Sequence, residues 1–64
     1  MDGATLLNRI RKYCKENDIR IYEFEKKCGL SNGTVSGWDS GEPKLTSLDK
    51  IVKATGKPIE YWWS

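Results

Sequence analysis

The chain has 64 residues, 38% of them hydrophobic and 31% charged, with a formal net charge of +2. That is one small domain, able to bury only roughly 60% of the surface its unfolded chain exposes, which excludes a large internal ligand cavity. No run approaches the 18 or so consecutive apolar residues of a membrane helix, and the charge permits a polyanionic partner without demanding one.

The N-terminal residues Met1–Leu7 carry neither the basic start nor the apolar stretch of a signal peptide, so a cytoplasmic location is expected. Leu6, Leu7, Ile10, Tyr13 and Cys14 then recur at spacings of three and four, which predicts a helix with one buried side. Asp2 is placed to cap its start, and Asn17-Asp18 to stop it. Ile21, Phe24 and Cys28 repeat the pattern in a second helix, which Gly29 ends and Leu30 follows as the usual hydrophobic contact. Between Arg9 and Lys27 basic residues outnumber acidic ones by seven to four, a balance that a solvated helix face would also show.

The next start is marked by Ser31 as an N-cap, with Leu30 before it and Val35 after it at the spacing of a hydrophobic staple. Val35 and Trp38 face inward, and Gly41 and Pro43 end this third helix. Asn32-Gly33 is also a strong hairpin turn, but its flanks are too short for strands. Thr46 opens a fourth helix, with Asp49 completing a variant capping box and Leu48, Ile51, Val52 and Thr55 as its inner stripe. Gly56 closes it, and Pro58 stands at the first position of a last short helix running to Trp62. The expected fold is therefore all-α: five short helices in one compact domain spanning 1–64.

Cys14 and Cys28 are the only cysteines, and histidine is absent. Two thiols without further ligands make no structural zinc site, and each falls on the apolar stripe of its helix, so both read as buried structural thiols. No nucleophile–base pair, metal-ligand cluster or phosphate-cradling glycine loop is evident, so neither catalysis, a cofactor nor a small-molecule ligand is expected.

Residues 21–40 carry the strongest signal. Phe24, Cys28, Gly29, Leu30, Val35 and Trp38 sit in a helix, a sharp turn and a second helix, and the phrase GLSNGTVSGWDSGEPKLTSLDKIVKATG extends the pattern. This resembles the helix-turn-helix of the Cro and lambda-repressor-like (XRE-type) regulators of bacteria and phages, over roughly residues 5 to 62. The resemblance implies a duplex-DNA-binding transcriptional regulator, of repressor type, whose recognition helix at about 31–40 enters the major groove. Carried over by position, Asn32, Gly33, Ser36 and Gly37 would meet bases, and Asn32 is suited to pairing with adenine. Ser31, Thr34 and Ser40 would bond phosphates or bases, and Tyr22 and Lys44 would approach the backbone. The C-terminal Ile59–Trp63 is aromatic for so short a helix. Tyr61 or Trp62 is expected to complete the core with Trp63 partly exposed, and the pairing of related repressors through this end offers the alternative of a homodimer contact by Tyr61, Trp62 and Trp63.

The chain departs from the family pattern at three places. Glu25 stands where a small residue usually packs against the partner helix, and Ile21 where a capping side chain is usual. The exposed face of the third helix has two glycines and no Arg, Lys or Gln. That bare face also fits a second reading, a protein-interaction module on the same fold, such as an antirepressor or partner-binding adaptor.

Overall fold

The apolar spacing in the first segment produces α1, Gly3–Glu16, with Leu6, Leu7, Ile10, Tyr13 and Cys14 all buried. The computed structural model describes residues 3 to 63, so the cap expected of Asp2 lies outside the described residues. Gly3 is buried for a reason the sequence did not signal: a Cβ there would run into the carbonyls of Trp38 and Gly41. Close approach of α1 to the segment carrying Trp38 therefore depends on it. At the other end Asp18 takes a left-handed backbone (φ 54°), and the Ile19 N–H reaches the Cys14 carbonyl at 3.0 Å. Asn17 Nδ2 also donates to the Tyr13 carbonyl at 2.8 Å, so Asn17-Asp18 is the stop expected of it.

The second helix, α2, is Ile21–Cys28. The cap missing at Ile21 is supplied from inside the helix, because the Arg20 N–H donates to Glu23 Oε1 at 3.0 Å. Gly29 ends it with φ 74°, and the Leu30 N–H bonds the Glu25 carbonyl at 2.8 Å while the Gly29 N–H bonds that of Lys26 at 3.2 Å. This pair of bonds is a Schellman motif, and it turns the chain sharply.

The expected third α-helix does not form. Residues 32–35 are a run of turns, and only Ser36–Asp39 is helical, as one 3-10 turn. The segment is short and holds two glycines, so its own backbone bonds are too few to propagate an α-helix. The remaining helices are α3, Leu45–Thr55, and α4, Ile59–Trp63. The first begins at Leu45, one residue before the capping box expected at Thr46, and Asp49 pairs instead with Lys53 at 2.9 Å. Pro58 lies just before α4, its carbonyl accepting the Tyr61 N–H at 3.0 Å.

The fold is all-helical among the described residues, with four α-helices and one 3-10 turn instead of five helices. α1 packs against α2, α4 and the 3-10 turn, and α2 packs against α3. Their shared core holds Leu6, Ile10, Phe24, Val35, Leu48, Ile51 and Trp62, each essentially removed from solvent. Tyr13, Phe24 and Trp62 meet as an aromatic cluster with centroids 5.4–6.0 Å apart. Trp62 completes the core, as the first reading of this end expected, and its burial removes it from the alternative homodimer contact: the indole is spent inside the protomer. Tyr61 is half-buried with the Lys57 ammonium 5.2 Å from its ring centroid, and the Trp63 side chain lies outside the described ones. No described helix is long and apolar enough to cross a membrane.

Candidate nucleic-acid interface

The surface between α2 and α3 is built on a short segment that must present small polar side chains outward. Val35 is fully buried and Trp38 nearly so, and these two anchors fix which side of the segment points away. On that other side Ser31, Asn32, Gly33, Ser36, Gly37 and Ser40 are exposed, and Thr34 is half-buried. The alternation follows from the anchors being three residues apart, one helical turn. Gly33 sits at φ 89°, a left-handed backbone that Asn32-Gly33 favours, so the dipeptide makes a turn and no strand.

Capping of this segment differs from the expectation placed on Ser31. Its carbonyl accepts the Thr34 N–H at 3.1 Å, but the side-chain acceptor comes from Glu25 in α2. Glu25 Oε2 accepts the Val35 N–H at 2.8 Å, and Oε1 accepts the Gly33 N–H at 3.2 Å. Glu25 is 3% exposed; its bond to Val35 is buried and its bond to Gly33 part-buried. A residue that breaks the family's usual small-residue pattern is thus the anchor of the segment. The signal for it was present: Glu25 neighbours Phe24 and precedes Cys28 by three, on the inner stripe, where a charge must find partners.

Two shallow hollows flank the segment and gather several of the expected residues. Tyr22, Lys26 and Asn32 line one with Leu30 and Glu25, and Tyr22 is 59% exposed. Ser31, Thr34, Lys44 and Lys50 line the other, with Glu42 and Ser47. Lys50 Nζ also donates to the Gly29 carbonyl at 3.5 Å, a long bond that holds the ammonium beside the turn. Ser36, Gly37 and Ser40 lie outside both hollows on the exposed 3-10 turn and its end. Sequence alone does not single out Lys26 or Lys50, because lysines on helix surfaces resemble any solvated face.

The two thiols take no part in this surface. Cys14 and Cys28 are free and buried. Burial raises the pKa of both, with Glu23 adding to the effect at Cys14, and Cys28 is pushed up to about 11. Thiols in that state are poor nucleophiles. Among the described residues no group of three or more His, Cys, Asp or Glu could hold a metal ion.

Comparison with known proteins adds one positive finding. A family model described as Helix-turn-helix matches residues 10–62, which takes in α2, the turn, the 3-10 segment and α3. No curated protein and no solved structure matches the chain significantly.

Proposed function

The chain belongs to the helix-turn-helix family, and from that premise we propose that it is a sequence-specific regulator that binds duplex DNA through residues 31–40. The observation that carries this reading is the division of that segment. Val35 and Trp38 are buried, while Ser31, Asn32, Gly33, Ser36, Gly37 and Ser40 face solvent on a turn anchored from beneath. Such a surface delivers short polar groups at a fixed height, which is what major-groove readout requires. Asn32 is the base reader. Ser31, Thr34, Ser36 and Ser40 bond bases or phosphates, and Tyr22 and Lys44 hold the phosphate backbone. The regulator acts by occupancy in the cytoplasm, as a two-fold dimer on an inverted repeat, and represses by blocking promoter access.

Selection of binding sites from a random duplex pool at low and moderate salt tests the proposal. Enrichment of an inverted repeat with half-sites about 10–10.5 base pairs apart is expected. Asn32→Ala is expected to weaken the selected site by about 1–3 kcal/mol and relax preference at one position; equal weakening on every sequence would remove Asn32 as a base reader. Failure of the pool to bind at either salt favours the protein-partner reading. One observation speaks for that reading: Leu45 is 75% and Ile59 41% exposed, beside an apolar hollow between α3 and α4.

A further inference from the structure

We propose that Glu25 is a positioning residue for DNA reading: it ties the reading segment to α2 and so sets where Asn32, Thr34 and Ser36 stand. The proposal rests on the DNA-binding reading above and goes beyond it, because Glu25 is buried and would act through the segment it holds.

Three acceptors of this one residue grip the turn. Its backbone carbonyl takes the Leu30 N–H at 2.8 Å on the near side. Its carboxylate takes the Gly33 and Val35 N–H groups on the far side, at 3.2 and 2.8 Å. A planar carboxylate bonded at both oxygens fixes orientation as well as distance. The two amides it holds alternate with Asn32, Thr34 and Ser36, so every shift of the carboxylate moves those side chains. A cap on Ser31 would travel with the segment, whereas Glu25 belongs to the preceding helix.

The segment has little else to define its register. Besides the bonding inside the 3-10 turn itself, its backbone bonds are single turns, from Thr34 to Ser31, Gly37 to Gly33 and Trp38 to Val35, each 3.1 Å. Val35 and Trp38 anchor it by packing, which tolerates small rotations better than two charge-assisted bonds do. In place of a continuous helix, α2 supplies the reference frame through one side chain.

The test is Glu25→Gln, which keeps the shape and leaves one oxygen to accept. Binding to the selected site and to a scrambled duplex is measured at one salt concentration, with the thermal transition recorded for each protein. A folded variant that binds scrambled duplex within about twofold of the unmodified protein is expected, with discrimination reduced about tenfold or more, comparable to the loss of one base pair's contribution. Unchanged discrimination in folded Glu25→Gln overturns this proposal alone. Absence of duplex binding by the unmodified protein overturns it together with the DNA reading. Should the variant fail to fold, amide exchange in the unmodified protein decides. Gly33 and Val35 amides protected both free and on DNA uphold the proposal, and exchange at loop rates in either state overturns it.

Discussion

Gly33 and Gly37 are neighbours on the same exposed segment, yet the fold requires only one of them. Gly33 stands at φ 89°, so an alanine there would be strained by about 1–2 kcal/mol although nothing crowds its Cβ. Gly37 has no such backbone need, and a Cβ there would also point into open space. A glycine that the fold does not demand lowers stability by about 0.5–1 kcal/mol relative to alanine. A partner that must come close to the backbone supplies the compensating reason. Gly37→Ala is accordingly expected to raise the melting temperature while weakening the selected DNA site by about tenfold, or about 1.4 kcal/mol. Thermal unfolding and a binding titration on one preparation check both halves; a higher melting temperature with unchanged binding would show that nothing approaches Gly37. Cys28 gives a second prediction at this scale. Its folded pKa, about 11, lies above the ordinary value of 9.0, so the native state favours the protonated thiol. That contribution is complete below pH 9 and is lost as pH rises through about 11. Denaturant titrations across this window should show stability falling, and Cys28→Ala should flatten that part of the decline.

At the level of elements, what was legible followed from periodicity. α1, α2 and α3 announced themselves because Leu6, Ile10 and Cys14, then Phe24 and Cys28, then Leu48 and Ile51 recur at helical spacing and are buried. The segment at 31–40 was legible as a position but not as a conformation. Val35 and Trp38 at a spacing of three fit one helical turn as well as several, and the segment's shape is decided by groups outside it. Those groups are the carboxylate of Glu25, ten residues before Val35, and the bare Cα of Gly3 beneath Trp38. The inner-stripe position of Glu25 says that it needs partners, but no local pattern names Gly33 and Val35 as those partners or places Gly3 under Trp38. The interface shared this limit: Asn32 and Ser31 could be placed by resemblance, but the lysines beside them are brought in by tertiary packing of α2 and α3. Because the segment leans on its anchors, Trp38→Ala should be severe. Truncating a buried tryptophan loses about 3–5 kcal/mol, while a domain of this size has roughly 3–10 kcal/mol in total. A thermal transition lowered by more than about 10 °C, or no cooperative transition at all, is expected by circular dichroism. An unmoved transition would mean that the segment is held by Glu25 alone.

For the whole molecule the deciding quantity is where its modest charge sits. A net +2 is too small to carry nonspecific binding by the general field, so any phosphate attraction must come from a few local cations. Lys26 lies in the hollow with Tyr22 and Asn32, and Lys44 and Lys50 lie in the hollow with Ser31 and Thr34. These lysines bracket the proposed reading segment on two sides, although Glu42 shares the second hollow and opposes part of their field. Counting these three ammonium groups as phosphate contacts, the slope of log K against log salt should be about −3 for one protomer and about −5 for a pair on an inverted repeat. Lys44→Ala and Lys50→Ala should each make the slope shallower by about 1 per protomer bound, and should weaken all duplexes alike. Asn32→Ala should leave the slope unchanged, because a base contact releases no counterions. A slope near zero in the unmodified protein, with binding still measurable, would separate affinity from phosphate contact and undo this placement of the interface. Slopes that shift with Lys44 and Lys50 but not with the α1 cations Arg11 and Lys12 would locate the duplex against α2 and α3.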